Sequence, residues 1–480
     1  MDLMLIYPPL SVEERYARKT GKNIGGHLPP LGIATLGAFA REHKFSVDVL
    51  DCLALDINNQ DILNRIDKNK PKVVGFSCLT TMFHRAKETA LLIRKRFPDI
   101  LIIIGGHHAT IMPIDIIKDD DCFDLLVFGE GELTLLEILN EYKKDKFSIK
   151  KFLTNYKKLN KIKGIVFREK NKIVKTLNRD LIKNIDSLPY PARDLLPMDK
   201  YIPLPNQYKR TPVVHMVAIR GCPYQCSFCS NNAVFGRGIR ARSPKKVVEE
   251  IKYLIKTYNV REISFWDDMM TVNKKWMEEL CNEIINQKID ITWTGYARVD
   301  TVNIELLRLM KRAGCWNIFY GYEAGVQELL DNIDKGITLR QIEDANKWTK
   351  EAGIEVRASF MIALPGETPE LAKKTIEFAK RLNPDYAQFS ITTPFPGTKL
   401  WNNAEKFGRI NKDFKNYNGW EPVFVPYGYK DEEEIMKMEK RAVREFYFRP
   451  AFIISALKKI RTKEDIIRYL KGLRFLLGFV

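Results

Sequence analysis

The sequence contains no apolar run long enough to cross a membrane, which argues against a transmembrane helix. A membrane-spanning helix needs about 18 or more apolar residues in a row, and charged residues interrupt every apolar stretch of this 480-residue chain before that length. The first ten residues, MDLMLIYPPL, are acidic at Asp2 and broken by proline, which is not typical of a secretory signal peptide. These absences favour a cytoplasmic protein.

Cysteine is scarce, and its distribution argues against a secreted disulfide framework. Disulfide-stabilised domains are short and place their cysteines densely. Five of the eight cysteines are instead scattered, namely Cys52, Cys78, Cys122, Cys281 and Cys315. They indicate a reducing compartment, whereas the remaining three cysteines stand close together and need another explanation.

Acidic residues are fewer than basic ones, and the formal net charge is +18. Such an excess suits anionic partners such as nucleic acid, lipid headgroups or an acidic substrate. The charge is nevertheless spread along the chain, and the sequence shows no motif of a nucleic-acid-binding module. We therefore do not expect a nucleic-acid partner.

Residues 1–145 alternate short apolar runs with helical patterns. This alternation predicts an α/β domain with a doubly wound parallel sheet of the flavodoxin-like type. The predicted strands are LMLIY, SVDVLD, KVVGFSC, ILIIIGG and DLLVFGE. Ligands of such sheets bind beyond the carboxyl ends of the strands. Small and polar residues occupy these ends, namely Ser77, Thr80, Thr81, Gly105, Gly106, Thr110, Gly129 and Gly131.

Residues 211–415 return to the same alternation. Six apolar strands with five intervening helices predict a partial (β/α)6 barrel related to the TIM barrel, with its chemistry at the carboxyl ends of the strands. The predicted strands are VVHMVAIR, EISFWDD, ITWTGYAR, NIFYGYEA, EVRASFMIA and DYAQFSITT. Ser243 before Pro244, and Thr338 with Gln341, are signals for helix starts.

The segments that flank the barrel differ in character. The linker, residues 146–210, is lysine-rich, contains a predicted β-hairpin turning at Lys170 and Asn171, and ends in a proline-rich strap. The C-terminal region, residues 416–480, is predicted to be helical and is aromatic and basic. A basic amphipathic helix can lie on a membrane surface, so the sequence leaves open whether this region caps the active site or makes peripheral contact with a membrane.

Cys222, Cys226 and Cys229 lie in the segment RGCPYQCSFCS, directly after the first barrel strand. Structural zinc takes four ligands, usually as two pairs, and a thioredoxin-like redox site needs only two cysteines. Three thiolates on one short loop suit a 4Fe–4S cluster that leaves one iron without a protein ligand. The alternative is an iron–sulfur or zinc site whose fourth ligand comes from elsewhere in the chain.

The spacing Cys-x3-Cys-x2-Cys, with Phe228 before the last cysteine, resembles the radical S-adenosylmethionine (radical SAM) superfamily. The resemblance implies that the open iron of a 4Fe–4S cluster binds the amino and carboxylate groups of S-adenosylmethionine. One electron from the cluster then releases a 5′-deoxyadenosyl radical, while the barrel positions the cofactor. Phe228 and four further residues in similar segments are expected to contact the cofactor, the four being Asp267, Asp268, Arg298 and Glu323.

The barrel departs from the superfamily pattern at two positions. Ala324 replaces the usual serine of the segment YGYEAG, and Ala363 stands where glycine is common. A surface salt bridge would also explain either aspartate, and an ion pair in the barrel core would explain Glu323. The replacement of serine by Ala324 removes one polar group that could contact the cofactor.

The first domain resembles the cobalamin-binding domain that is fused to one branch of this superfamily. The similar segments are YPPL, LPPLGIATLGAFARE, GFSCLTT, IIIGGHHAT and FGEGELTLLEIL. The resemblance implies that cobalamin binds at the strand ends given above, joined by His107 and Glu130. The chain lacks the Asp-x-His-x-x-Gly loop of cobalamin-dependent mutases, so we expect no histidine on the lower face of cobalt. His107 is then a loop residue at the corrin edge or a capped surface histidine, and a flavodoxin-like sheet without cobalamin is the alternative.

Essentially the whole chain resembles the branch that includes the anaerobic magnesium-protoporphyrin monomethyl ester cyclase and the hopanoid-modifying enzymes. The resemblance implies an anaerobic enzyme that methylates or oxidatively cyclises an unactivated carbon of a small-molecule or lipid-like substrate. A reducing protein such as a flavodoxin or ferredoxin is expected to supply electrons. Two alternatives stay open: a cobalamin-independent radical SAM enzyme that modifies RNA or a small molecule, and a non-catalytic cobalamin carrier or sensor.

Overall fold

The first part of the chain folds as a parallel α/β sheet with an antiparallel hairpin at one edge. The computed structural model describes residues 1–11, 14, 26–460 and 462–477. The strands of this part are β1 (Leu3–Tyr7), β2 (Val47–Asp51), β3 (Val73–Ser77), β4 (Leu101–Gly105), β5 (Leu125–Val127), β6 (Ile165–Glu169) and β7 (Lys172–Lys175). The helices are α1 (Leu31–Glu42), α2 (Cys52–Leu55), α3 (Asn59–Asn69), α4 (Phe83–Arg96), α5 (His107–Ile111), α6 (Pro113–Asp119), α7 (Glu132–Lys144), α8 (Ile149–Leu153) and α9 (Tyr156–Leu159).

The sheet has the strand order β2-β1-β3-β4-β5, with all five strands parallel. This is the flavodoxin-like order, so the predicted fold of this domain is confirmed. Strands such as LMLIY and LIIIG are apolar along nearly their whole length because helices cover both faces of the sheet. Separate apolar clusters lie on its two faces.

The hairpin predicted within the linker is present and belongs to this sheet. Strands β6 and β7 pair antiparallel and turn at Lys170 and Asn171. Strand β6 also pairs antiparallel with β5, so the hairpin continues the sheet past residue 145. The predicted domain limits themselves stay a prediction.

The second part of the chain is an open barrel of parallel strands. Its strands, together with two short antiparallel pairs, are β8 (Val213–Met216), β9 (Ile219–Arg220), β10 (Arg240–Ala241), β11 (Glu262–Phe265), β12 (Thr292–Ala297), β13 (Cys315–Glu323), β14 (Glu355–Ile362), β15 (Tyr386–Ile391), β16 (Gly408–Ile410) and β17 (Phe424–Pro426). Its helices are α10 (Asn231–Phe235), α11 (Pro244–Tyr258), α12 (Lys274–Asn286), α13 (Ile304–Arg312), α14 (Gln327–Asn332), α15 (Leu339–Glu351), α16 (Pro369–Leu382) and α17 (Lys399–Phe407).

The main sheet of this part has the order β8-β11-β12-β13-β14-β15, and every neighbouring pair is parallel. The predicted partial barrel is therefore confirmed. Both helix-start signals act as expected, since Ser243 caps α11 ahead of Pro244 and Thr338 forms a capping box with Gln341 at α15. The large apolar core lies between the outer faces of the strands and the surrounding helices.

The C-terminal helices pack along the side of the barrel and at the amino ends of its strands. They are α18 (Glu432–Tyr447), α19 (Pro450–Lys459) and α20 (Lys463–Leu477). The Arg468 guanidinium of α20 donates a hydrogen bond to the Tyr208 carbonyl (3.0 Å) and lies over the Trp316 ring. Trp316 is at the amino end of β13, so α20 covers the end of the barrel opposite its carboxyl-end mouth. No helix within the described ranges is long and apolar enough to cross a membrane.

Candidate active site at the mouth of the barrel

The three clustered cysteines lie on the loop between β9 and α10, at the carboxyl end of the first barrel strand. Hydrogen bonds fix the middle of this loop. The Ser227 N–H donates to the Ile333 carbonyl (2.9 Å), and the Ser227 carbonyl accepts from the Leu400 N–H (2.8 Å). The Cys229 N–H donates to the Cys226 carbonyl (3.1 Å), so the last two cysteines share one tight turn.

Asp267 and Asp268 hold the start of this loop through its backbone. Asp267 accepts hydrogen bonds from the N–H groups of Ala218 (2.6 Å) and Ile219 (2.9 Å). Asp268 accepts one from the N–H of Gly221 (2.8 Å), the residue before the first cysteine. Burial raises the pKa of Asp267 to about 7, although the two backbone donors oppose that shift. Both carboxylates thus position the loop, and their contact with a cofactor stays a prediction.

Positive charge and aromatic rings surround Cys226. The Arg298 guanidinium lies 3.7 Å from the Cys226 sulfur and 3.9 Å from the centre of the Tyr224 ring. The Lys335 ammonium lies 5.7 Å from the centre of the Phe228 ring, and Arg298 donates to the Lys335 carbonyl. Two cationic side chains, Arg298 and Lys335, thus lie on the side of the loop that carries Cys226.

Glu323 forms a buried ion pair with Lys335, whose ammonium lies 2.6 Å from a carboxylate oxygen. The ion pair in the barrel core that the sequence allowed is therefore present. Glu323 and Ala363 both have a positive φ, +60° and +65°, a backbone region that favours glycine. The turn at Ala363 explains physically why glycine is common at that position. Ala324 is buried and brings no side-chain hydrogen-bonding group to this network.

The strand-end edge of the first domain is open beside β5 and closed beside β4. Gly129 has φ +77°, and a Cβ there would meet no atom of the described chain within 4 Å. Gly106 has φ +92°, and its Cβ would lie 2.8 Å from the backbone nitrogen of Cys78. The Thr110 hydroxyl connects the two turns, because it accepts from the Gly129 N–H (3.0 Å) and donates to the Gly106 carbonyl (2.9 Å).

The other predicted residues of this edge surround that opening. Ser77 and Gly105 are register partners at the ends of β3 and β4. Thr80 is buried, and its hydroxyl lies 3.2 Å from Nδ1 of His108. Thr81 and Gly131 are partly exposed. The structure thus brings the predicted strand-end residues to one edge.

Glu130 has a different environment, because it binds the barrel. Its carboxylate contacts the guanidinium groups of Arg220 and Arg240, each at 2.8 Å, and accepts from the Ile182 N–H at 2.8 Å. Arg220 also contacts Glu132 at 2.7 Å. Burial by itself would raise the pKa of Glu130, but the hydrogen bonds from Arg240 and Arg220 hold it below its usual range. We call this set of two carboxylates and two arginines the charge clamp.

The predicted His107 and its neighbour His108 lie at the contact between the domains. The His107 ring contacts the Phe235 ring of α10 edge to face, with 5.9 Å between centroids. His108 is buried between the Phe83 and Phe414 rings. Burial lowers the pKa of His108 to about 4, so it is neutral at pH 7. The strand-end edge of the first domain therefore faces the cysteine loop.

Several residues of the site escaped the sequence reasoning, namely Arg220, Tyr224, Arg240 and Lys335. Arg220 and Tyr224 lie inside the cysteine segment, and their proximity to the cysteines was the only signal in the sequence that they belong to the site. Lys335 and Arg240 are far along the chain from the groups that they contact.

The residues present fit the cofactors that the sequence implies. Three thiols on one loop suit a cluster, in which each binds a different iron. Among residues 1–11, 14, 26–460 and 462–477, no group of three or more His, Cys, Asp or Glu is close enough to hold a single metal ion. Gly129 leaves open space on the strand-end edge where the sequence places the corrin.

Comparison with known proteins agrees with this geometry. A family model described as the B12 binding domain matches residues 18–139, and one described as the radical SAM superfamily matches residues 216–379. An uncharacterized methyltransferase of Pyrococcus horikoshii is 35% identical over 456 residues, which are 95% of this chain and 94% of that protein. The anaerobic magnesium-protoporphyrin IX monomethyl ester cyclase of Rubrivivax gelatinosus is 30% identical over 94% of this chain and 79% of its own.

The chain therefore belongs to the family of radical SAM enzymes that carry a B12-binding domain. The radical S-adenosylmethionine methyltransferase TsrM of Kitasatospora setae has the same fold, with a TM-score of 0.69 and 17% identity over 94% of this chain and 90% of its own. The resemblance noted in the sequence is confirmed. This is a cobalamin-dependent radical SAM enzyme of the methyltransferase and cyclase kind, and its cofactors are a 4Fe–4S cluster, S-adenosylmethionine and cobalamin.

Proposed function

We propose that the enzyme transfers a methyl group to an unactivated carbon of a small-molecule substrate held between its two domains. When bound, the cluster with S-adenosylmethionine supplies a 5′-deoxyadenosyl radical, and cobalamin supplies the methyl group. The main support is that the strand-end edge of the first domain faces the cysteine loop, with His107 against Phe235. A second contact supports the same arrangement, because Ile111 of α5 packs against Gly397 beside the barrel mouth.

Each part of the site has a role under this proposal. Cys222, Cys226 and Cys229 hold the cluster, and Asp267 and Asp268 fix the backbone that presents the first of them. The fixed geometry matters because small displacements in an active site cost rate.

The remaining side chains set the electrostatics and the shape of the site. Arg298 and the Lys335–Glu323 pair provide positive charge and hydrogen-bonding groups beside Cys226. Gly129 and Thr110 shape the surface that would receive the corrin, and contact of both domains limits the access of water.

Oxidative cyclisation is the second candidate. The 30% identical Rubrivivax gelatinosus protein is named as a cyclase, and it covers nearly the whole chain. The 35% identical Pyrococcus horikoshii protein is named as a methyltransferase, which favours methylation as the first candidate. The two reactions differ in whether the product gains a methyl group.

The test is an anaerobic assay of reconstituted protein with cobalamin, S-adenosylmethionine and a reductant. We would measure 5′-deoxyadenosine and the corrin spectrum for the wild type, for Cys226→Ala and for Cys122→Ala, which replaces a buried cysteine of the first domain. We expect bound corrin in all three proteins and 5′-deoxyadenosine in all except Cys226→Ala.

The possible deviations separate the alternatives. Corrin without any 5′-deoxyadenosine from cluster-loaded wild type would favour a carrier or sensor. 5′-Deoxyadenosine without bound corrin would favour a cobalamin-independent enzyme. Reduced flavodoxin and reduced ferredoxin, compared with a chemical reductant in the same assay, test the proposed electron donors.

The C-terminal helices support a further proposal, peripheral contact with an anionic membrane. Their exposed face carries large apolar side chains, namely Ile453, Ile454 and Leu457 on α19 and Ile466, Ile467, Leu470 and Leu473 on α20. Lys458, Lys471 and Arg474 lie on the same two helices. Apolar and basic side chains together suit a surface of anionic lipid.

Liposome flotation tests this contact. We expect wild type to float with anionic vesicles at low salt, and a Leu457→Glu and Leu470→Glu double variant to stay in solution. Leu177→Glu, which changes another exposed leucine, is the matched control. Equal behaviour of the double variant and wild type would refute the contact.

A further inference from the structure

The interior of the barrel is lined by an unbroken band of side chains that crosses five neighbouring strands or the positions just after them. The band begins at His215 on β8, whose ring is 5.4 Å from the Trp266 ring. It continues from Trp266 to Tyr296 (5.6 Å) and from Tyr296 to Phe319 (5.1 Å). It ends at Arg357 on β14, whose guanidinium lies 4.6 Å from the centre of the Phe319 ring. We call these five residues the lumen band.

The space inside the band is accessible. Trp266 is 36% exposed, and Tyr296 and Phe319 are also partly exposed although they point inward from the sheet. Side chains alternate along the strands, so Phe360 and Phe389 face the outer core while Gln388 faces inward and is exposed. The inner face of the sheet is therefore open to solvent at these side chains.

Arg357 is a buried cation without an acidic partner. Arg357 is only 4% exposed, and no carboxylate of a described residue lies within 4.0 Å of its guanidinium. Its hydrogen bonds go to the carbonyl of Asn206 (3.4 Å) and to the hydroxyl of Tyr296, and its Nε has no partner among the residues that the structure describes. Buried charges are normally paired, as Arg193 is with Glu250 at 2.7 Å.

Further hydrogen-bonding atoms near Arg357 are unused. Within the described part of the chain, Nε2 of His215 and both side-chain amide atoms of Asn317 are buried without partners. These residues lie in one layer of the barrel, since His215 pairs with Ser264, Ser264 with Thr294, and Thr294 with Asn317. Buried polar atoms in proteins usually have a hydrogen-bond partner, so these atoms are available to a ligand or water in the barrel.

We propose that this interior binds the substrate, with an anionic group, a carboxylate or a phosphate ester, held by Arg357 and an apolar or aromatic body stacked along Trp266, Tyr296 and Phe319. The proposal rests on the proposed function and names the substrate class. Arginine matches both anions with paired hydrogen bonds, and its stacking on Phe319 keeps it fixed.

Arg357 lies near the mouth of the barrel in the sheet register. It is level with Phe319 on β13 and, through Phe319, with Tyr296 on β12. Strand β12 ends at Ala297, one residue after Tyr296, and the next residue, Arg298, contacts Cys226. An anionic group at Arg357 and a reacting carbon beside the cysteine loop therefore fit one short substrate.

The experiment measures binding to reconstituted, cofactor-loaded protein by isothermal titration calorimetry. The probes are phenylbutyrate, phenylbutyl phosphate and the neutral phenylbutanol. The variants are Arg357→Met, which removes the charge at similar length, and Arg357→Lys, which keeps it. Arg468→Met is the matched control, because Arg468 is also buried over an aromatic ring but is paired with Asp465 outside the lumen.

We expect wild type and Arg468→Met to bind at least one anionic probe about tenfold or more tightly than phenylbutanol. Arg357→Met should lose that preference, and Arg357→Lys should keep part of it. The relative affinity for the carboxylate and the phosphate identifies which anion the site prefers. Equal affinity of wild type for the acids and the alcohol would overturn the proposal, as would unchanged acid binding by Arg357→Met.

Circular dichroism of the variants, and 5′-deoxyadenosine and bound corrin of wild type, are measured alongside the calorimetry. If Arg357→Met does not fold by circular dichroism, the preference of wild type and the partial preference of Arg357→Lys decide the matter. Failure of the lumen proposal is distinct from failure of the proposed function. Wild type that forms 5′-deoxyadenosine but shows no anion preference overturns only the former, whereas anion preference without 5′-deoxyadenosine or bound corrin overturns only the latter.

Discussion

Replacement of Glu130 by glutamine tests whether charge holds the two domains together. The Glu130 carboxylate is 4% exposed and contacts both Arg220 and Arg240. After the change Arg220 keeps Glu132, but Arg240 keeps only the carbonyls of Ile182 and Phe235. The variant therefore leaves one mostly buried arginine without an acidic partner.

The expected loss in free energy of unfolding follows from the number of arginines left unpaired, which is one. Removing one partner of a buried ion pair costs about 3–5 kcal/mol, and we take the lower end, about 3 kcal/mol, because Arg220 stays paired and glutamine still offers a carbonyl oxygen. The matched control is Glu137→Gln. Glu137 is 37% exposed where it meets Arg179, and an exposed pair contributes about 0–1 kcal/mol.

Urea unfolding followed by tryptophan fluorescence provides the measurement. All seven tryptophans lie between residues 266 and 420, so the signal reports the barrel and what stabilises it. Cobalamin retention is measured on the same samples. A Glu130→Gln free energy of unfolding within about 1 kcal/mol of the Glu137→Gln value would refute the stabilising role of the charge clamp. Loss of cobalamin at unchanged stability would support the cofactor-binding role predicted for Glu130.

The pH dependence of the clamp has a definite sign. Burial opposes ionisation of Glu130, but Arg240 and Arg220 lower its folded pKa below the ordinary 4.5. A lowered folded pKa stabilises the protein above the unfolded pKa, and this stabilisation is lost as pH falls through the folded pKa. The stability difference between wild type and Glu130→Gln should therefore be full at neutral pH and shrink below about pH 4.5.

Two further predictions concern single side chains. Gly129→Ala should lower the free energy of unfolding by about 1–2 kcal/mol through backbone strain and should also weaken cobalamin retention on gel filtration. Gly106→Ala, whose Cβ meets backbone atoms, should mainly lose stability. Unchanged cobalamin retention by Gly129→Ala would contradict the open edge beside β5. Burial raises the pKa of Glu367 to about 7 against the hydrogen bonds from Tyr429 and Ala363, so wild type loses stability as pH rises from about 4.5 through about 7. Urea unfolding should show Glu367→Gln to be more stable than wild type by up to about 3 kcal/mol near pH 8 and equally stable near pH 5. The same stability difference at both pH values would contradict the raised pKa of Glu367.

The strands and helix starts could be predicted because their signals are local. A parallel strand covered on both faces is apolar throughout, as in ILIIIGG, and a capping box needs only Thr338 and Gln341. The cysteine loop was equally visible, because its three cysteines occur within eight positions. Local patterns therefore predicted both sheets and the position of the cysteine loop.

The long-range contacts of the site could not be predicted in this way. Glu130 meets Arg220 and Arg240 across 90 and 110 residues, and no periodicity links such positions. Asp267 and Asp268 bind backbone N–H groups, which every residue except proline carries, so the sequence holds no mark of the partner. Arg357 was hidden for a related reason, since this inward-facing arginine is distinguished only by having no carboxylate of a described residue within 4.0 Å, although Glu355 precedes it on the same face of β14.

The hairpin at the edge of the first sheet has a consequence for preparing that domain alone. A fragment ending at residue 145 would leave β5 without β6, and the unpaired backbone groups of Leu125–Val127 would offer a template for strands of other molecules. A fragment ending after Lys175 keeps β5 covered and places Lys172 and Lys175 on the outermost strand, where charged side chains oppose edge-to-edge association. The shorter fragment should aggregate, and the longer one should stay monomeric.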